Sequence, residues 1–588
     1  MRLGSARRFR FDPIEVPVNP SPASRPLRLR LFAAAALLVL LPVVPHAATP
    51  ATPAPAAKPA TAPAPLPAAV RTSASAISGS RLNADVAFLA DDMLEGRATG
   101  TRGYALAAAF VAGRMAALGL EPAGDTAYFQ RVPFRRAAVD TSASTLAILR
   151  DGPDQTLVLG RDVLLSPDFL RAVWTTEAPI VFVGYGVSAP EMGHDDFAKL
   201  DVRGKVLVEF RGAPPRFPHN ERAYYSNQLV KEKAAAAHGA IGILQMLKPS
   251  DEARQPWDRV LRQGMLPGFR WTDEGGAPAN VQATLELGGR LSPSGTAAVF
   301  AGAPRTFAQV AADAESSVAG GFDLPGKIKA RVTTRHAAAS SPNVIGLLRG
   351  SDPKLAGEAV IFTAHLDHLG ISAPVNGDSI NNGAYDNASG SAMLLEVARA
   401  FTRAGVRPRR SILFAAVTGE EKGLQGSDYL ARHPGPGGLD IVADLNLDEV
   451  LMLSPVTNII AFGMEHTSLG PVVERAAALE SLTVIADPWP EEVVFVRSDQ
   501  FSFVKQGVPG IFPVSAETGT PEAFAELRRW DETAYHSPSD DMTQTFDWPS
   551  GARFTRMMFL AGWMVADAAK APTWNEGDFF GKHFGPLK

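Results

Sequence analysis

The C-terminal part of the chain alternates short apolar runs with amphipathic segments, and this alternation constrains the fold more than any other feature of the sequence. After Ser341, the runs AVIFTA, SILFAAV and IVADLNL are separated by stretches of helical periodicity, such as Ser389 to Ala404. Short, nearly continuous apolar runs are typical of parallel strands that are buried on both faces. The pattern therefore predicts an α/β fold with a mainly parallel, doubly wound sheet that is covered by helices on both faces.

Residues 166–304 have a different pattern, which predicts a mostly β insertion. Runs such as APIVFVGYGV and KVLVEFRG are short and β-type, and Gly, Pro and Asp turns separate them. Histidines and acidic residues are seldom clustered in this stretch, so we expect it to shape or cover a site and not to perform chemistry. The insertion would divide the sheet domain into a first part, residues 77–165, and a main part, residues 305–588.

The N-terminal residues predict an export signal, residues 1–48, followed by an Ala/Pro-rich linker, residues 49–76. Three arginines precede an apolar stretch from Leu31 to Val44, and small residues follow at Ala47 and Ala48. This order is typical of a secretory signal, and the stretch is short for a membrane span. We expect a periplasmic or extracellular protein with no stable membrane association after cleavage; an uncleaved anchor is the alternative.

Composition excludes several kinds of partner and site. The chain has 588 residues, 46% of them hydrophobic and 20% charged, which is enough to bury a sizeable core. The first 48 residues carry a net charge of +5, so the total of −4 leaves about −9 on the remainder. This balance gives no basic surface for nucleic acid. Because the chain has no cysteine, any metal must be bound by histidine and carboxylate.

Polar side chains follow the ends of several predicted strands. Because the carboxyl ends of parallel strands meet at one edge of a sheet, we expect these side chains to lie together. Two imidazoles and three carboxylates suit two divalent ions of the zinc type that share a bridging carboxylate. Either Glu420 or Glu421 would then stay free to move protons. The candidates are His365, Asp386, Glu420, Glu421, Asp448 and His536.

Five motifs in this order, AHLDH, AYDNASG, GEEKGLQGS, NLDE and YHSPSDD, resemble the M28 family of zinc exopeptidases. That family includes bacterial leucyl-type aminopeptidases and glutamate carboxypeptidase. The resemblance covers roughly residues 78–170 and 305–570. The stretch between them, with VGYGVSAP and KAAAAHGAIGIL, resembles the protease-associated (PA) domain that is inserted in many relatives.

The resemblance implies a role for each candidate residue. Asp386 would bridge two zinc ions, with a cis peptide bond to Asn387. Glu420 would be the general base, and Tyr535 would donate a hydrogen bond to the tetrahedral oxyanion. The remaining assignments are His365 and Asp448 on one zinc, Glu421 and His536 on the other, Asp367 as the residue that orients the His365 imidazole, and His368 outside the ligand set.

These features together predict an exported dizinc exopeptidase that acts on peptides, with release of N-terminal residues favoured. One alternative is a carboxypeptidase or dipeptidase of the same fold, which needs a cationic pocket for the substrate carboxylate; Arg497 is the nearest candidate in sequence. Another is a receptor-like binding protein without catalysis. Relatives often carry histidine at the position of Gln500 and methionine at that of Glu449, so terminal-residue specificity stays open, as does the oligomeric state.

Overall fold

The computed structural model describes residues 65–316, 320–435 and 438–585. The predicted signal and most of the predicted linker lie outside these residues. The end of the linker, however, is helical over Ala68–Ser75, and the Ser73 hydroxyl donates to the Ala400 carbonyl at 2.7 Å. The linker therefore ends before residue 68. Among the helices described, none combines the length and the apolar character that a membrane crossing requires.

The N-terminal segment folds as helices followed by strands. The glycine-rich loop from Glu95 to Gly103 lies between the two longer helices, and its backbone is left-handed at Glu95 and Gly96, with φ of 51° and 65°. Such angles favour glycine, which has no Cβ. The elements are α1 (Ala68–Ser75), α2 (Gly79–Leu89), α3 (Arg102–Ala117), β1 (Glu121–Pro122) and β2 (Phe129–Val139).

The middle of the chain contributes ten short strands and six helices. The strands are β3 (Thr145–Leu149), β4 (Gln155–Leu157), β5 (Val163–Leu165), β6 (Val173–Phe182), β7 (Ser188–Ala189), β8 (His194–Asp195), β9 (Val206–Phe210), β10 (Gly242–Met246), β11 (Gly268–Trp271) and β12 (Leu287–Leu291). The helices are α4 (His219–Ser226), α5 (Gln228–Ala237), α6 (Pro249–Arg254), α7 (Trp257–Gly264), α8 (Pro293–Phe300) and α9 (Phe307–Glu315).

The remainder of the chain alternates strand and helix as predicted. Its strands are β13 (Phe322–Leu348), β14 (Glu358–His365), β15 (Gly370–Val375), β16 (Asp378–Asn381), β17 (Ser411–Val417), β18 (Asp440–Asn446), β19 (Asn458–Phe462), β20 (Thr483–Ile485) and β21 (Gly510–Ser515). Its helices are α10 (Gly390–Arg403), α11 (Gln425–Arg432), α12 (Gly470–Leu479), α13 (Gln500–Val504), α14 (Pro521–Thr533), α15 (Trp548–Asp567) and α16 (Phe579–Phe584).

The main sheet has the strand order β11-β2-β13-β17-β14-β18-β21-β19-β20. Its four central strands, β17, β14, β18 and β21, are parallel, and antiparallel pairs lie towards both edges. A parallel centre needs a crossover between neighbouring strands, and α10 supplies the one between β14 and β17. The predicted α/β class and its mainly parallel sheet are confirmed.

Helices cover the main sheet on both faces because alternate residues of its central strands point to opposite sides. In β14, Val360 and Phe362 belong to the large core packed by α2, α3, α10, α12 and α15. Their neighbours Ala359 and Ile361 belong to a smaller core on the other face, with Leu430 of α11 and Phe503 of α13. Every residue of β17 is buried, which explains its continuous apolar sequence.

A second sheet, which we call the insert sheet, has the order β4-β3-β13-β6-β9-β10-β12-β5. The 27-residue strand β13 belongs to both sheets, with residues 322–333 paired to β6 and residues 334–348 within the main sheet. The insert therefore spans residues 145–333, a wider range than the predicted 166–304. Six helices accompany its strands, so it holds more helix than a mostly β domain. Its identity as a PA domain stays a prediction.

Candidate metal centre

Three parallel strands end at the same edge of the main sheet, and polar side chains follow each of them. His365 is the last residue of β14, and Asp448 lies two residues beyond β18. Glu420 and Glu421 follow β17 in a turn. Since β14 pairs in parallel with both β17 and β18, the three ends meet.

The first cluster, which we call the strand-end group, consists of His365, Asp386 and Asp448. The His365 Nε2 atom lies 3.1 Å from Asp386 Oδ1 and 3.0 Å from Asp448 Oδ1. The His365 Nδ1 atom lies 3.0 Å from the Asp367 carbonyl oxygen, to which it donates. Because Nδ1 donates in this way, Nε2 is the ring atom that faces the carboxylates and that a metal ion would use, the arrangement of a metal-ligating imidazole.

The second cluster, the loop group, surrounds the other oxygen of Asp386 and consists of Glu421, His536 and His368. The His536 Nε2 atom lies 3.2 Å from both Asp386 Oδ2 and Glu421 Oε2. The His368 Nδ1 atom lies 3.6 Å from Asp386 Oδ2 and 2.7 Å from Glu421 Oε1. The predicted ligand set excludes His368, yet the structure places its buried imidazole here.

The donor atoms of these groups fit divalent cations. The ligand atoms of His365, Asp386 and Asp448 lie within 4.8 Å of one another, and so do those of His368, Asp386 and Glu421. Among the described residues, His368 Nε2 is buried without a hydrogen-bond partner, and the 2.7 Å contact between His368 Nδ1 and Glu421 Oε1 lacks hydrogen-bond geometry. A buried polar atom left unpaired is costly, and a bound cation would satisfy these atoms. The His and carboxylate chemistry is that of zinc sites.

Two residues outside the predicted set hold the loop that presents Asp386. The buried Asp540 carboxylate accepts hydrogen bonds from the Tyr385 and Asp386 backbone N–H groups at 2.8 and 3.0 Å. The fully buried Arg97 guanidinium donates to the carbonyls of Leu366, Asn382 and Gly383. Asp540 was visible in the YHSPSDD motif and Arg97 in the glycine-rich loop. The peptide bond between Asp386 and Asn387 is cis, as the resemblance implies.

Asp367 contacts the His365 imidazole, as predicted, but through its backbone and not through its side chain. Its backbone carbonyl, not its carboxylate, accepts the hydrogen bond from His365. The carboxylate instead accepts from the Thr99 hydroxyl at 2.8 Å and from the Glu420 backbone N–H at 3.1 Å. Asp367 thus joins the N-terminal loop, β14 and the Glu420 turn, and it fixes the backbone on which Glu420 is carried.

Two cavities meet at these groups. The smaller, about 170 Å³, is lined by His365, Asp386, Glu420 and Asp448 together with apolar side chains of the main-sheet region. The larger, about 1050 Å³, lies between the insert and the main sheet and reaches His536. Tyr535 lines both cavities, and its ring stacks on the His536 ring with 3.9 Å between centroids. Glu420 and Tyr535 therefore border the space next to the donor groups, where a reacting group would lie.

The insert contacts the loop group directly through helix α7. The Gln263 side-chain amide lies 3.2 Å from His536 Nδ1. The Arg259 guanidinium donates to the backbone carbonyls of Asp531 and Tyr535 and lies 5.3 Å from the centroid of the Tyr535 ring. No sequence signal marked these contacts, because they join segments more than 270 residues apart.

The carboxylates of the two groups raise the pKa of both imidazoles. Burial lowers the pKa of His365, but Asp448 and Glu420 outweigh it, and the pKa lies well above the usual value. Burial also opposes protonation of His536, while Glu421 and Asp386 raise its pKa to about 10. Both imidazoles thus lie in a strongly negative environment, which attracts any cation.

Glu449 and Gln500, the two positions at which this chain departs from the family pattern, lie in different places. Glu449 borders the smaller cavity, whereas the Gln500 side chain bonds the Phe495 carbonyl at 2.7 Å and the Asn446 amide at 2.9 Å. Ser498 lies beside the site instead, and its hydroxyl donates to Asp448 Oδ2. Of the two departures, Glu449 is therefore the one that borders the small cavity.

Comparison with known proteins bears on the same region. Residues 343–561 match the model of peptidase family M28. We call this matched segment the M28 domain. The M28 domain includes all of the metal-ligand candidates and both Glu420 and Tyr535, whose roles stay predictions.

The relatives and solved structures extend this comparison. "Leupeptin-inactivating enzyme 1" of Streptomyces exfoliatus is 29% identical over 240 residues, which are 39% of this chain and 50% of that protein. A "Probable zinc metalloprotease" of Pyrenophora teres f. teres is 37% identical over 244 residues, again 39% and 50%. The chain thus spans about half the length of each. The solved "Aminopeptidase from Aneurinibacillus sp. strain AM-1" shares the fold, with a TM-score of 0.51, 18% identity and coverage of 86% of this chain and 97% of that one.

Proposed function

We propose that this chain is an exported zinc exopeptidase that releases N-terminal residues from peptides and uses two zinc ions. The observation that supports it best is that the strand-end and loop groups share Asp386, and that the strand-end group borders one cavity with Glu420. The names of the relatives, zinc metalloprotease and aminopeptidase, agree with this proposal. Export rests on the predicted signal in residues 1–48.

The residues divide between two zinc ions. His365, Asp386 and Asp448 would hold one ion, and Glu421, His536 and the second oxygen of Asp386 would hold the other. Zinc bound in this way polarises a carbonyl group and lowers the pKa of water.

Glu420 is the residue best placed to move protons. Its carboxylate borders the small cavity, and burial keeps its pKa well above the usual value. A carboxylate of raised basicity can take a proton from the attacking water and return it to the leaving amine. The Tyr535 hydroxyl keeps its proton, because burial and the Glu449 carboxylate raise its pKa well above the usual value. It can therefore donate a hydrogen bond to the oxyanion as the tetrahedral carbon forms.

The two cavities suggest how a peptide is oriented. The wall of the small cavity is mostly apolar and includes Leu451, Phe462, Phe512 and Trp530. At about 170 Å³ it fits one apolar side chain, which we assign to the N-terminal residue. The rest of the peptide would extend into the larger cavity beneath the insert.

Leucyl peptides with free and acetylated amino groups test this proposal. We expect Leu-Ala-Ala to be hydrolysed from its amino end, N-acetyl-Leu-Ala-Ala to be resistant, and a chelator to abolish turnover.

Glu420→Gln should retain about two zinc ions per chain and lose roughly 10²–10⁴-fold in kcat. Glu465→Gln, at an acid whose side chain is 49% exposed, serves as the control. Near-normal turnover by a zinc-loaded Glu420→Gln protein would remove Glu420 from the mechanism, and less than one zinc per chain in the wild type would favour the receptor-like alternative.

A carboxypeptidase remains the second candidate because Arg497 lines both cavities. A guanidinium in that position can bind the terminal carboxylate of a substrate. Release of C-terminal alanine from N-acetyl-Leu-Ala-Ala, with no free leucine from Leu-Ala-Ala, would favour this activity over the aminopeptidase.

A further inference from the structure

The larger cavity contains arginines that the proposed chemistry does not use. Arg211 follows strand β9 and Arg290 lies on β12, both in the insert, and Arg497 faces them from the M28 domain. The β10 strand lies between β9 and β12 in parallel pairing, so the two insert arginines are two strands apart at one edge of the insert sheet. The same cavity reaches Tyr535 and His536.

These guanidinium groups have few partners. Within the part of the chain that the structure describes, the Arg290 side chain makes no hydrogen bond or ion pair. Arg211 donates to the Gln255 amide oxygen. Arg497 has only a long contact of 4.0 Å to Glu492 Oε2 and a 3.5 Å hydrogen bond to the Glu492 carbonyl. Burial, and then the charges of Arg290 and Arg497, lower the pKa of Arg211 to about 10.

The acidic residues of the cavity are largely engaged elsewhere. Asp251 pairs with Arg254 at 2.7 Å, and Glu315 pairs with Lys248 at 3.1 Å. Glu492 makes its shortest contact with Arg528, at 3.0 Å. Burial raises the pKa of Glu232 to about 7, so its carboxylate is partly protonated at neutral pH. The positive charge of Arg211 and Arg290 is therefore left without a full counter-charge, whereas Arg497 also lies near the carboxylates of Glu449, Glu492 and Asp531.

We propose that Arg211, Arg290 and Arg497 form a subsite that binds a substrate carboxylate, namely the C-terminal carboxylate of a short peptide whose N-terminal residue occupies the small cavity. This assignment rests on the proposed function, since it needs a peptide that lies across the donor groups. Guanidinium groups bind carboxylates through paired, charge-assisted hydrogen bonds, and here they lie in a cavity bordered by Tyr535 and His536. The substrates would then be short peptides with a free C-terminus, and the insert would select them by length.

Direct binding tests the subsite without relying on turnover. Isothermal titration of the full-length Glu420→Gln protein would compare Leu-Ala-Ala with its C-terminal amide. We expect the free acid to bind at least about 10-fold more tightly, a difference of about 1.4 kcal/mol. Leu-Asp-Ala amide carries a carboxylate on its aspartate side chain but none at its C-terminus. If it binds as tightly as Leu-Ala-Ala, the subsite takes an acidic side chain and the C-terminal assignment is wrong.

Variants of the arginines then locate the effect. Arg290→Gln in the Glu420→Gln background should abolish the preference for the free acid and leave amide binding unchanged, whereas Arg290→Lys should retain part of it. Lys248→Gln removes a positive charge from the same cavity, but from a lysine already paired with Glu315, and it should leave the preference unchanged. Circular dichroism would confirm that each variant is folded.

Two results would overturn the subsite: equal binding of acid and amide, or an unchanged preference in a folded Arg290→Gln protein. Failure of the proposed function looks different. In that case the Glu420-intact protein would hydrolyse no peptide, even though the free acid still bound more tightly than its amide and Arg290→Gln still removed the difference.

Discussion

The strand-end group and the loop group use the same residue types but are positioned by different parts of the structure. His365 and Asp448 lie at or just beyond the ends of neighbouring parallel strands, and their side chains are 1% and 7% exposed. His536 lies in a loop with a left-handed backbone, φ 54°, and its side chain is 17% exposed. Its Nδ1 atom contacts Gln263 of the insert. We therefore expect the strand-end group to be rigid and the loop group to depend on docking of the insert.

Removal of one histidine from each group gives the largest expected effects. His365→Ala leaves the buried Asp386 and Asp448 carboxylates without their imidazole, so we expect loss of zinc from both groups and a drop in stability of about 3–5 kcal/mol. His536→Ala should release one zinc only, because His365, Asp386 and Asp448 remain to hold the other. Zinc per chain by mass spectrometry and urea unfolding would measure both effects. Equal zinc loss in the two variants would contradict the contrast between the groups.

Asp428 tests whether the insert must stay docked. Its carboxylate lies on α11 and accepts from Trp271 Nε1 at 2.9 Å; Trp271 is on β11, the strand by which the insert segment joins the main sheet. The same carboxylate pairs with Lys505 at 2.9 Å. Burial raises its pKa, but Lys505 and Arg432 more than offset this effect and leave it well below the usual value. A depressed folded-state pKa stabilises the protein above the unfolded pKa of about 3.9, and this stability is lost as the pH falls below it.

Asp428→Asn should therefore cost about 2 kcal/mol at pH 7 and progressively less as the pH falls from about 4 towards 2. Urea unfolding across this pH range would measure the difference. If docking supports the loop group, the variant should also bind the zinc of the loop group more weakly and the zinc of the strand-end group normally. A destabilisation that stays constant down to pH 2 would exclude the charge of Asp428 as its cause.

Gln263→Ala gives the smallest and most specific change. Partners that orient a ligating imidazole are worth about 10–100-fold in metal affinity, and we expect the lower end, because His536 is also stacked on Tyr535. Only the affinity for the zinc of the loop group should fall, as measured by competition with a chromophoric chelator. Gln245→Ala, which removes an amide that bonds Gln228 at 2.8 Å, is the matched control in the insert. Equal weakening by both variants would show that the amide of Gln263 has no specific role.

Much of the main sheet could be predicted because its signals are local. Strands β14 and β17 are nearly continuous apolar runs, β18 is a shorter run that Asp444 interrupts, and the helices between the strands keep a regular periodicity, so their order along the chain indicated a parallel sheet. The extent of the insert could not be predicted. Strand β13 runs through both sheets without a break, and the apolar pattern of a strand does not reveal which neighbours it pairs with.

The sequence by itself determined which residues end the central strands, and with them the edge where His365, Glu420, Glu421 and Asp448 meet, because parallel pairing aligns the carboxyl ends of strands. Only the tertiary structure decided that the Asp367 carbonyl orients His365, that His368 joins the loop group, and that Gln263 contacts His536. It also decided that Arg211 and Arg290 line the cavity that reaches His536. Those contacts join segments that are far apart along the chain or that meet only through loops. Loop and interdomain geometry depends on packing, which no local pattern of residues records.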